Sequence, residues 1–157
     1  MKLHSPFTAL AVMTLALSGC SSSGTLAPRS PAQGVACSTV SVNGTVLTID
    51  AHLNRDFMPP LPVGGKPLVM VIDVSSAQST KLPPDLSVAS ATVSNHDSKW
   101  VSTPSVITGT DPTHLTVVAS NGPTWDPGAT VEVDIVLLVQ GRKVPVMLPN
   151  QRVTSTY

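Results

Sequence analysis

Thr39-Val40-Ser41-Val42-Asn43-Gly44-Thr45-Val46-Leu47-Thr48-Ile49 reads as two strands of β-branched residues around a tight turn. Asn and Gly both tolerate positive φ, and an Asn-Gly pair between alternating β-formers is the strongest short hairpin signal. Outward from this hairpin the same character recurs. Leu68-Val69-Met70-Val71-Ile72-Asp73-Val74 is a nearly continuous apolar run, predicted as a central strand covered on both faces. Thr130 to Val139 alternates: Val131, Val133, Ile135, Leu137 and Val139 share one face, and Thr130, Glu132 and Asp134 the other. Weaker strands are predicted over Leu86–Ser94, from Trp100 to Ser102, and over Leu115–Ala119. Val144, Val146 and Leu148 return beside the 130–139 strand. Pro145 and Pro149 cannot donate to a ladder, so this last strand is predicted to be an edge.

Composition agrees. The 157 residues include 15 Pro and 10 Gly, with charged residues at only 11%, too few to clothe helical surfaces. Lys+Arg and Asp+Glu are both 9, so the chain builds no cationic field for nucleic acid. The expected fold is all-β, an antiparallel β-sandwich. The run from about Leu68 to Leu148 resembles a small immunoglobulin-like or fibronectin-like domain, an architectural likeness that carries no function.

The N-terminus says where the chain is held. Lys2 precedes an apolar run from Phe7 to Leu17, and small residues then lead to a cysteine, the layout of a secretory signal. Leu17-Ser18-Gly19-Cys20 resembles the lipobox of bacterial lipoproteins. The resemblance implies cleavage before Cys20 and lipid on the new terminus, and Ser21 in place of Asp implies the outer membrane, on its periplasmic face. The run is too short for a stable span, and several acyl chains anchor better than one. The expected layout is a signal peptide over 1–19, a flexible tether over 20–34 rich in Ser, Gly and Pro, and a β-domain over 35–157. That domain divides into an N-terminal hairpin (35–54) and a core sandwich (68–157). With Cys20 lipidated, Cys37 is an odd thiol in an exported protein, expected as a small buried residue of the first strand.

Catalytic patterns are missing: there is no Gly-x-Ser-x-Gly and no His-Glu-x-x-His. Gly64-Gly65-Lys66 is followed by Pro67 where a phosphate loop needs Ser or Thr. His52, His96, His114, Asp97 and Asp111, with Met58, Met70 and Met147, form the pool from which a metal site would be drawn. They lack regular ligand spacing, so no metal or cofactor is assigned. Glu132 and Asp134 read as a solvated strand face, and Arg142-Lys143 as a solvated turn. Trp100 is expected in the core. Trp125, in a stiff Pro-Gly loop, is a candidate partner contact, with Val144 and Val146 on the expected edge. The chain is therefore expected to be a non-enzymatic, lipid-anchored interaction protein of the envelope, the alternative being a metal- or small-ligand-binding carrier.

Overall fold

The computed structural model describes residues 37–59, 64–107 and 111–157. The leader, Cys20 and the tether lie outside these. The described residues hold no helix and nine strands: β1 (Ser38–Val42), β2 (Thr45–Asp56), β3 (Val69–Ser76), β4 (Ser87–Ser94), β5 (Lys99–Ser102), β6 (Ser105–Ile107), β7 (His114–Ala119), β8 (Thr130–Val139) and β9 (Arg142–Thr156). The Asn-Gly hairpin forms as the sequence predicts. Val42 faces Thr45, with Asn43 and Gly44 at φ 51° and 81°.

The strands join in the order β5-β4-β8-β9-β2-β3-β7-β6, with β1 on β2. The sheet is mixed, not purely antiparallel as expected, because β9 meets β2 in parallel over Leu53–Asp56 and Val153–Thr156. That pairing follows from a bulge. The β8–β9 register slips between Val131 and Val133, and Asn150 there takes φ 56°. An Asx residue tolerates this left-handed conformation, and beyond the slip β9 stays on β8 only through Gln151 and Arg152 before it pairs with β2 from Val153. The sheet is thereby curled into a half-barrel whose inner faces share one core. Leu47, Ile49, Leu53, Met70, Ile72 and Val74 enter it from one half, and Val93, Val133, Ile135, Leu137 and Leu148 from the other. The β1–β2 hairpin is thus built into the same core as the later strands, and β2 lies inside the sheet.

Three further expectations are corrected. β3 is central, but only its inward face is buried; Val69, Val71, Asp73 and Ser75 on the other face stay partly open. The last strand is an edge only over its first half, since its second half pairs with β2. Cys37 is exposed, because it stands just ahead of β1.

One buried charge organises the end of the domain. The alternation that sends Leu47, Ile49, Ala51 and Leu53 inward also sends Arg55 inward, where it is 3% exposed. Its guanidinium faces carbonyls. Nε donates to Lys66 O at 3.0 Å, Nη1 to Thr124 O and Trp125 O at 3.1 Å each, and Nη2 to Gly64 O. The Phe57 ring lies 4.8 Å from the guanidinium carbon. Gly64 and Gly65, at φ 104° and 68°, let the Gly64 and Lys66 carbonyls face this cation. A phosphate loop instead turns its N–H groups toward an anion.

The same loop is latched outside by Asp56. Its carboxylate accepts from Met58 N at 2.9 Å and from Lys66 Nζ at 3.0 Å, and these bonds hold it below the ordinary carboxylate range, Met58 foremost. A depressed carboxylate stabilises the fold above its unfolded value of about 3.9, and the contribution fades as pH falls through the folded value. Acidification from about pH 5 to about pH 3 is therefore expected to speed proteolysis within 57–66. Asp56→Asn should cleave equally fast at both pH values; an unchanged acid response in that variant would refute the latch.

Candidate functional site

The outward face of β2, β3 and β7 groups four ionisable side chains, Asp50, His52, Asp73 and His114. Strand parity puts Asp50 and His52 outward on β2, Asp73 on β3, and His114 and Thr116 on β7. Register places Asp50 directly opposite Asp73, and Asp73 opposite Thr116. Like charges opposite each other on neighbouring strands repel. Among the described residues neither carboxylate pairs with Lys or Arg; their ionisable neighbours are imidazoles. His52 Nε2 lies 3.5 Å from Asp50 Oδ2 and 4.0 Å from Asp73 Oδ2. His114 Nε2 lies 3.1 Å from Asp73 Oδ1. Asp111 shapes the turn before His114: its backbone carbonyl accepts from His114 N at 3.3 Å, and its carboxylate accepts from the hydroxyl and backbone N–H of Thr113, which hold it below the ordinary range.

Of the sequence-derived metal pool, the fold sets His52 and His114 against Asp73 and keeps Asp111 in the turn before His114, where its backbone carbonyl accepts from His114 N at 3.3 Å; Asp50 and Asp73 were not in that pool. His96 lies elsewhere, in an open cleft of about 230 Å³ with Ser94, Asn95, Glu132 and Asn150. Met70 is in the core, whereas Met58 and Met147 are exposed. Among the described residues, no group of three or more His, Cys, Asp or Glu side chains is placed so that it could hold a metal ion.

The expected partner contacts are placed as follows. Trp125 is partly buried against the core, and its indole N–H donates to Ser98 Oγ at 2.9 Å. Trp100 packs there too, and only a glycine at 122 lets the adjoining loop approach it, since a Cβ would lie 2.9 Å from its ring. Val144 is half-buried and Val146 is 6% exposed, both turned inward. The outward side chains of this segment are Lys143, Pro145, Met147 and Pro149.

Pro145 faces Val136 in the ladder. Lacking an N–H, it fits only where the N–H would point away from β8. Lys143, Pro145, Met147 and Pro149 then share the outer edge, and every second donor on that edge is missing. Such an edge resists strand addition. The apolar surface lies instead on the face beside it. Val101, Thr92, Asp134 and Met147 form one cross-strand row, with Val101 65% and Met147 59% exposed, and Val136 and Leu138 lie half-buried next to them.

No protein family, curated protein or solved structure matches this chain.

Proposed function

We propose that this chain is a lipid-anchored, non-enzymatic envelope protein, held by Cys20 on the periplasmic face of the outer membrane, that docks a protein partner. The observation that carries the docking is the outward face of β8 and β9, where Met147 and Pro145 stand beside Val136 and Leu138. Exposed apolar side chains grouped in this way mark interaction surfaces more often than isolated ones. An immunoglobulin-like sandwich is the finer reading of the fold, supported by the two facing halves that share one core. A tether of Ser, Gly and Pro would let the domain search the space near its membrane.

A photo-crosslinking residue at Met147 in whole cells is expected to yield one discrete adduct, and the same residue at Thr39, exposed on β1, none. The lipid anchor has its own readout: Cys20→Ser should leave the protein unprocessed or move it to the soluble fraction. No adduct at Met147 would overturn the docking face, and unchanged membrane attachment of Cys20→Ser would overturn the anchor.

A further inference from the structure

We infer that the occupant of the β8–β9 face is a second copy of this chain, packed face to face with its strands reversed. The inference rests on that face being a docking face, and names what docks. What singles out a second copy is the order of side chains along the outward face. At one end of β8 stand Glu132 and Asp134, both exposed. At the other end stands Lys143 of β9, exposed and directly opposite Leu138 in the ladder. Between them lie Val136, Leu138, Pro145 and Met147, the apolar part of the face. Extended strand from Glu132 to Leu138 keeps the acidic and basic ends about 20 Å apart. Among the described residues none of these three charges has an ion-pair partner.

A face that is acidic at one end, apolar in the middle and basic at the other complements itself when turned end for end. A two-fold axis in the contact plane, running across the strands near Val136, makes that turn. It sets Lys143 of each copy over the Glu132 end of the other and brings the apolar middles together. Copies stacked with their strands in the same direction would instead oppose like charges, so the charge order selects the reversed arrangement. The prolines of β9 disfavour the alternative of pairing edge to edge.

A landing place for Lys143 is already formed. The register slip leaves Glu132 without a partner on β9. Thr130, Glu132 and Asn150 line the open cleft of about 230 Å³ beside it. An ammonium carries three donors, and the cleft offers it a carboxylate, a hydroxyl and an amide carbonyl. Lys99 lies across Ser94 from Glu132, and His96 forms a further wall of the cleft. No ion pair joins either of them to Glu132, so its carboxylate is open to a cation from outside. Strands β5, β4, β8 and β9 present a footprint of roughly 19 Å by 27 Å, about 500 Å² in projection. Standard interfaces take about 800 Å² of accessible surface per partner, which a ridged footprint of this size approaches, as suits a reversible dimer.

Sedimentation equilibrium of the full-length protein in density-matched detergent is expected to show a monomer–dimer equilibrium. Lys143→Glu and Glu132→Lys should each weaken it at least about tenfold, because each sets like charges against each other at both ends of the interface. Mixed in equal amounts, the two variants should associate to within about threefold of wild type, since opposite charges then face each other at both ends. That recovery also shows both variants to be folded. Lys81→Glu, exposed and outside this face, should change nothing. A wild-type protein that stays monomeric at every concentration, or variants that stay apart when mixed, would overturn the inference. The Met147 crosslink separates this from the underlying reading. An adduct to a different protein overturns the second copy and keeps the docking face, whereas no adduct together with no dimer removes both.

Discussion

Replacing Arg55 with methionine is expected to cost about 3–5 kcal/mol, a large share of the roughly 5–15 kcal/mol that holds a domain of this kind together. The expectation follows from what the guanidinium satisfies. Four backbone carbonyls, of Gly64, Lys66, Thr124 and Trp125, accept from it, and the side chain is 3% exposed. Methionine fills much of the volume but donates nothing. Each carbonyl left without a partner costs about 1–3 kcal/mol unless water reaches it. Among the described residues no carboxylate pairs with this charge; carbonyl dipoles and the Phe57 ring stabilise it. Lysine should not rescue, because a single ammonium cannot span carbonyls from two separate loops as a planar fork does. In thermal unfolding, Arg55→Met should lower Tm by about 10–20 °C, with the exposed Arg152→Met near wild type as the control. A loss below about 1 kcal/mol would show that the two loops rehydrate their carbonyls and that Arg55 does not bind them together.

Arg55 marks the limit of what the sequence discloses. Elements defined by local pattern were legible: Asn43-Gly44 imposes a turn by its own backbone preferences, and the alternation over Val131–Val139 needs only one covered face. Arg55 opens a Pro- and Gly-rich stretch and reads as the start of a loop. Yet the parity running from Leu47 through Leu53 already directed it inward, a signal that outweighed the aversion of arginine to burial. The outward cluster was harder to see. Asp50 and Asp73 become neighbours only through the β2–β3 register, and Thr116 and His114 join them only once β7 lies beside β3. Register between distant strands is set by the whole core, not by any local run. The prolines of β9 were informative in half. They identified an edge, but the bulge at Asn150 that carries the strand across to β2 depends on one left-handed residue with no distinctive neighbours.

The second large effect concerns the same corner of the molecule. Gly65→Ala is expected to destabilise by about 2–4 kcal/mol, from two sources that a comparison separates. At φ 68° an L-residue carries a backbone cost of about 1–2 kcal/mol. Gly44→Ala, at φ 81° with nothing within 4 Å of its Cβ, should show that cost alone. At position 65 the Cβ would also stand 2.7 Å from Phe57 Cδ1 and 2.8 Å from the carbonyl oxygen of Asp56. That oxygen cannot move aside freely, because it accepts from Lys66 N at 2.8 Å, and the Phe57 ring is held between Arg55 and Tyr157. The excess of Gly65→Ala over Gly44→Ala thus measures how rigidly the loop is seated. Combining Gly65→Ala with Arg55→Met should then cost less than the sum of the single losses, by about 1 kcal/mol or more, since a loop already released has no close contact left to violate. Strict additivity would mean that the 64–66 turn keeps its seat without the guanidinium, and that Asp56 and Phe57, not Arg55, hold it there.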